Sequence, residues 1–255
     1  AFHMDQFEVT KALWDQVYSW AIGNGYTFEY AGAAKAADHP VHTINWYDAV
    51  KWCNARSEME GRTPAYYTDS RLKTRYRKGR VEPYVNWTTG YRLPTEAEWE
   101  KAARGGAAGH RFSWSDTDEI SHGLANYNSV PSITGQDTSY DTSANAGYHP
   151  DFNDGVEPYT GPVGSFEPNG YGLFDMTGNL FEWVYDWADK DPPKYYTEAP
   201  MTDPRGPATG TFRVLRGGSW HADPGWARVS ARTIVNGAGK VPYNFLGFRS
   251  VLPAP

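Results

Sequence analysis

One stretch, Asn169 to Trp187 (NGYGLFDMTGNLFEWVYDW), limits what this chain can fold into more than any other. Its apolar residues do not recur at three and four, and Gly178-Asn179 interrupts it, so it is not an amphipathic helix. Aromatic residues stand on both sides of a tight turn at Thr177, Gly178 and Asn179, which predicts strand, turn, strand with the rings in the core. Asp175 and Glu182 bracket that turn. With Asn179 and the turn carbonyls they make the hard-oxygen set that Ca²⁺ takes, although no EF-hand spacing is present. An Asx turn closed by Asp175, and a Glu182 paired with an arginine, would use the same residues without a metal.

Composition bounds the rest. At 255 residues the chain is long for one domain but within reach of a single β-rich unit. No linker or repeat period divides it, so 1–255 reads as one domain. Rings make up 16% of the residues, with 11 Trp and 18 Tyr, alongside 26 Gly and 18 Pro. That mixture favours an α+β class of short strands and ordered loops wrapped around flat rings over a helical bundle. A net charge of -6 disfavours a general phosphate-binding surface, so nucleic-acid binding is not expected. No apolar run approaches a membrane span, and the first residues do not form a signal peptide. The single cysteine, Cys53, excludes an internal disulfide, a thiolate zinc site and a CxxC pair, and it leaves the compartment open.

Three helices are legible. Phe2 to Val9 alternates as a strand, after which Thr10 caps a helix carrying Leu13, Trp14, Val17, Tyr18 and Ala21, stopped by Gly23 or Gly25. Asn45 caps the second, which turns Trp46, Ala49, Val50 and a core Cys53 inward and stops at Gly61. Thr95 and Glu98 form a capping box for the third, whose buried side is Trp99, Ala102 and Ala103. Between the second and third lies RLKTRYRKGR, a basic run read as a solvated hairpin arm. Residues 109–168 have little periodicity, and a loop of that length inside a compact chain needs function or a bound ion to hold it. From Phe212 short strands return in FRVLRGGSW, ARVSARTIV and NFLGFRSVLP.

Common catalytic patterns are missing: there is no GxSxG elbow, no HExxH and no Rossmann glycine fingerprint. His39 and His42 precede a helix in a loop. His221 and Asp223 are the best metal-ligand pair near the C-terminus, but they lack a third ligand.

Three segments in order, YRLPTEAEWEKAARGG, NGYGLFDMTGNLFEWVYDW and RVLRGGSW…LGFR, resemble the formylglycine-generating enzyme (sulfatase-modifying factor) family. EVTKALWDQVYSW and HPVHTINWYDAVKWCN are similar to its earlier signatures, so the resemblance covers nearly the whole chain, apart from a strand that usually precedes the position of Phe2. It implies a variant of the C-type lectin fold, with low regular secondary structure, twisted antiparallel strands and about three helices. It also implies structural calcium: a first site of Asp175, Glu182 and the carbonyls of Gly178 and Leu180, with Asp175 in place of an Asn, and a second of Asn126, Asp154 and the carbonyls of Tyr127 and Val156.

Catalysis is where the chain departs from the resemblance. The family enzymes oxidise a substrate cysteine with copper held by two cysteines after the GGS serine, and here Ala222 and Ala227 stand in those places. Alanine has no lone pair for Cu(I), so that activity is not expected. The expectation is a binding protein for an unknown protein or small molecule, since the chain's end is also similar to variable proteins of diversity-generating retroelements. Its surface would be His221, Asp223, Trp226, Arg228, Ser230, Arg232, Thr233, Val235, Asn236, Tyr243, Asn244 and Phe245, a mixture of aromatic anchors and small polar groups. An extracytoplasmic or cell-surface place goes with that reading. The alternative is an oxidase or sulfoxide-forming relative whose metal sits on His221 and Asp223. Buried Trp220 and Trp226, with Arg216 and Arg249 in structural ion pairs, would instead make this end ordinary core.

Overall fold

The structure, a computed structural model, describes residues 1–130, 137–188, 202–235 and 239–254. The three expected helices form where their caps are. α1 (Lys11–Gly23) starts at Thr10, whose hydroxyl accepts the Leu13 N–H. α2 (Trp46–Met59) starts at Asn45, which accepts from Asp48 N at 2.8 Å. α3 (Glu96–Ala103) carries the full capping box between Thr95 and Glu98. Glu98 also takes both guanidinium amines of Arg92, at 2.6 and 2.7 Å, so one side chain fixes the helix start and the residue that bridges to Val251 before it. Thr95→Ala is expected to lower stability by about 1 kcal/mol, read as a shifted urea midpoint at unchanged slope.

Among the described residues, eight short strands complete the fold: β1 (Phe2–Met4), β2 (Tyr66–Tyr67), β3 (Tyr84–Val85), β4 (Phe181–Ala188), β5 (Phe212–Arg216), β6 (Thr233–Val235), β7 (Leu246–Gly247) and β8 (Val251–Pro253). β1 pairs with β8 and β2 with β3, both antiparallel, while a four-stranded sheet runs β6-β5-β4-β7. β4 is antiparallel to β5 and parallel to β7, so Glu182 faces Arg216 on one side and Gly247 on the other. The basic run lies between β2 and β3, with Arg75 and Arg77 on Glu58 and Arg80 on Glu29.

Two predicted strands are shorter than expected. The arm before the Gly178 turn forms no strand, because the Asn169 side chain captures the N–H groups of Tyr171 and Leu173 at 2.9 and 3.1 Å. Its amide nitrogen caps the end of α3 at the carbonyls of Ala102 and Ala103. Only the second arm, β4, is a strand. Phe2 to Val9 is a regular strand only as far as Met4; beyond it the Asp5 and Val9 N–H groups still donate to the Ser250 and Phe248 carbonyls, while the Asp5 carboxylate turns to Ser250 and Arg56.

The core divides by element. α1 and α2 bury Trp14 and Trp52 as parallel rings 5.9 Å apart, with Phe248 edge-on to both. α3 lays Trp99, Ala102 and Ala103 on Val184 and Val214 of the sheet. The long segment after α3 contains no helix or named strand among its described residues up to Leu180. It is held by its own small core around Phe112, Ile120 and Tyr127, and by Asp141, which accepts from Tyr127 Oη, Ser129 Oγ and Val130 N.

Candidate functional site

The Gly178 turn is a tightly determined piece of backbone. Asp175 and Asn179 adopt positive φ of 55° and 61° on either side of Gly178 at 89°. A Cβ at Gly178 would lie 2.3 Å from the Asn126 carbonyl, so only glycine lets the turn approach that strand-like edge. Beneath the turn Glu8, Asp175 and Glu182 are buried around Arg249, which is also buried. Arg249 reaches Glu182 with Nε and Nη2 at 2.7–2.9 Å and donates to the Phe174 carbonyl at 2.9 Å. Trp99 Nε1 completes the Glu182 shell at 2.8 Å. Glu8 accepts from Asn179 Nδ2 and Leu180 N, and Asp175 from Gly164 N.

Three carboxylates around one guanidinium leave excess negative charge whenever all are ionised. Burial pushes the Asp175 carboxyl up to about 6, with the charge of Glu182 adding and Arg249 opposing. Burial likewise holds Glu8 well above the usual carboxylate range, helped by Asp175 and Glu182. The three N–H donors make four contacts with Glu182, two on each oxygen, so its roughly four lone-pair directions are all engaged. The excess negative charge suits a divalent cation and the oxygens of Asp175, Gly178 and Leu180 are of the hard kind that Ca²⁺ takes, while the pairing of Glu182 with Arg249 is the arrangement these residues adopt without a metal.

The second expected ligand set is arranged differently. Asn126 is buried, with Nδ2 donating to the Tyr159 carbonyl at 2.8 Å and Oδ1 without a hydrogen-bond partner. The Tyr127 carbonyl lies 3.2 Å from His122 Nε2. Val156 is exposed, and the Asp154 carboxylate holds Lys35 Nζ at 2.6 Å. Among the described residues, no three His, Cys, Asp or Glu side chains gather as a metal site, so a cation at either set relies on backbone and amide oxygens.

The C-terminal segment separates into three places. His221, Phe245 and Tyr243 form one stack, with ring centroids 5.6 and 5.0 Å apart at 16° and 20°. Trp220 lies under it, buried, in contact with Tyr148 and Tyr159 and bonded through Nε1 to the Asn244 carbonyl. The second place is a turn in which Asp223 Oδ1 accepts from Gly225 N and Arg228 Nε donates to Gly225 O. From there Trp226, Arg228 and Ser230 point outward while Ala227 and Val229 point in. The third holds Arg232, paired with Glu96 at the start of α3, and Thr233 and Val235 in β6. Asn236 lies outside the described residues. His221 and Asp223 thus turn to different partners, a ring and a backbone amide.

Trp226 is 43% exposed and Trp220 is core. Arg216 and Arg249 are both buried, Arg216 on Glu96 and Glu100. His39 and His42 each meet a hydroxyl, Thr160 and Thr43. Ala222 and Ala227 are buried, and a Cβ at Gly218, where φ is 80°, would sit 2.8 Å from Ala227 Cα. Sequence reasoning missed Glu8, Tyr148, Tyr159 and Lys35. Glu8 alone carried a signal, as an acid between Phe7 and Val9 in an apolar alternation.

Comparison with known proteins now places the chain. The family model described as the sulfatase-modifying factor enzyme 1-like domain matches residues 1–254. The formylglycine-generating enzyme of Streptomyces coelicolor is 34% identical over 255 residues, covering 91% of this chain and 72% of that protein. Chaperone protein LppX of Paenibacillus barcinonensis is 30% identical over 239 residues, covering 90% and 72%. Among solved structures, Treponema denticola variable protein 1 superposes with a TM-score of 0.68 at 27% identity, covering 99% of this chain and 84% of that one. CarF superposes at 0.71 with 25% identity, covering 100% and 87%. The chain belongs to the sulfatase-modifying factor enzyme 1-like family and has its α+β fold, in which, among the described residues, short strands and long ordered loops outweigh three helices.

Proposed function

We propose that this chain is a calcium-stabilised ligand-binding protein that keeps the family scaffold without the thiol-oxidising copper centre. The observation that carries this is the pair Ala222 and Ala227, two buried methyl groups at the positions expected of copper cysteines. A methyl group offers neither a soft ligand nor a mixed disulfide. Cys53 cannot stand in, since it is fully buried in α2 and burial pushes its thiol far up. The stack of His221, Phe245 and Tyr243 supplies flat anchors with Asn244 between two of them in the chain, and Trp226, Arg228 and Ser230 supply an exposed anchor and polar groups at the separate turn. The names of two relatives, a variable protein and a chaperone, agree with binding rather than turnover. Calcium would neutralise the acids around Arg249 and brace the turn from which β4 departs.

Elemental analysis of the purified protein tests this. Calcium is expected, falling in Asp175→Asn, without stoichiometric copper or iron and without oxygen uptake on a cysteine peptide. A stoichiometric transition metal together with thiol oxidation would overturn the proposal. His221→Ala and Tyr243→Ala, both at exposed positions, are expected to move Tm by only about 1–2 °C. Each should nonetheless weaken a peptide selected on the native protein by about tenfold or more. A reverse transcriptase beside the locus, with a near-copy of the coding segment for residues 213–249, would add diversification to the binding reading.

A further inference from the structure

The second expected calcium set contains a cation of the protein's own. Lys35 comes from the loop before α2, yet its ammonium meets the Asp154 carboxylate 119 residues away at 2.6 Å. It lies over the Tyr159 ring at 5.6 Å, and its side chain is only 19% exposed. The Tyr159 carbonyl in turn accepts from Asn126 Nδ2. Ammonium, ring and amide nitrogen therefore link Asp154 to Asn126, while Asn126 Oδ1 stays outside the chain of contacts. The same two loops meet twice more, through His39 Nδ1 and Thr160 Oγ1 at 2.9 Å and through Val163 N and the Asp38 carbonyl at 3.0 Å.

We propose that Lys35 replaces the second calcium, so that this chain holds its long loop with a side-chain cation and carries one structural calcium rather than two. Two positive charges compete for one carboxylate here. A dication placed beside Asp154 would meet the Lys35 ammonium within a few ångströms, like charge against like charge, at a carboxylate whose side chain is itself 57% exposed. Lysine is already tethered, so it loses less freedom on binding Asp154 than a free ion does. This rests on the calcium reading only in its count. The clasp itself needs no metal, and through Tyr159 it touches the ring cluster of Tyr148, Tyr159 and Trp220.

Calcium counted per chain in native protein and in Asp154→Asn decides between the two arrangements. Equal counts are expected, because Asp154 serves Lys35 and not an ion. A count lower by one in Asp154→Asn overturns the proposal. Asp175→Asn, run in parallel, isolates the first site: if native protein and all variants contain none, the calcium reading fails while the lysine clasp stands. A second measurement reads the clasp directly. Lys35→Met is expected to lower Tm by a few degrees in saturating chelator and to speed protease cleavage within residues 150–160. Unchanged melting and cleavage in Lys35→Met would overturn the clasp.

Discussion

Replacing Arg249 by methionine is expected to cost about 3–5 kcal/mol. The guanidinium is fully buried and is the only cation touching Glu182 among the described contacts. It also satisfies the Phe174 carbonyl at 2.9 Å, so methionine would leave a carbonyl and a carboxylate without their donors in the same small volume. Burial has already raised the cost of ionising Asp175 and Glu8 nearby, and Arg249 opposes that rise at both. At 2–4 °C per kcal/mol for a chain of this size, Tm should fall by about ten degrees or more. The double variant Arg249→Met with Glu182→Gln removes the stranded charge and should recover a large part of the loss, because breaking a buried pair costs more than deleting it. Urea melts of the parent and both variants supply the measurement. A single variant within about 1 kcal/mol of the parent, or a double variant worse than the single, would show that the centre is not held by this pair.

The helices were open to sequence reading because their starts are local chemistry. Thr10, Asn45 and Thr95 each bond an N–H three residues on, and no tertiary information is needed to see that. The acids of the Gly178 turn were legible as a group, but their partners were not. Arg249 is 67 residues from Glu182, and Glu8 meets Leu180 across 172 residues, and nothing in spacing encodes such contacts. The failed first arm of the turn has the same cause at short range. Asn169 could as well have been a loop residue, and only its placement against the end of α3 makes it take the amides that a strand would need. At the C-terminus the reading of residue types found the ring stack of His221, Tyr243 and Phe245. It also gathered Arg232 with them, although Arg232 is committed to Glu96 at another place in the fold.

Asp186→Asn is expected to stabilise the protein at neutral pH, which is unusual for a buried charged position. Asp186 sits in β4 with one oxygen accepting the Glu96 N–H at 2.7 Å, and Gly206 packs so closely that a Cβ there would lie 2.8 Å from Asp186 Cβ. Burial pushes its carboxyl up to about 8, with Glu96 and Glu98 of α3 adding, and the Glu96 N–H and Arg232 opposing. Between the ordinary carboxylate range and about pH 8 the folded protein therefore keeps a proton that the unfolded chain has released. Stability from this group is fully present below the unfolded value, declines as pH rises through that window, and is lost above the folded value. At about 1.4 kcal/mol per pH unit, the cost at pH 7 is on the order of 4 kcal/mol. An amide has no proton to lose, and its oxygen can still accept from Glu96 N, so Asp186→Asn should gain about 1–3 kcal/mol at pH 7. The gain should widen toward pH 8 and vanish near pH 4. Other groups bend the same curve: Asp175, pushed up to about 6, falls with rising pH, whereas His42, lowered to about 4 by burial, weakens the fold as pH drops. Subtracting the variant's stability from the parent's at each pH removes those shared contributions and leaves Asp186 alone. Parallel curves from pH 4 to 8 would mean that Asp186 is ionised in the fold and that the positive charge of Arg232, not a retained proton, balances it.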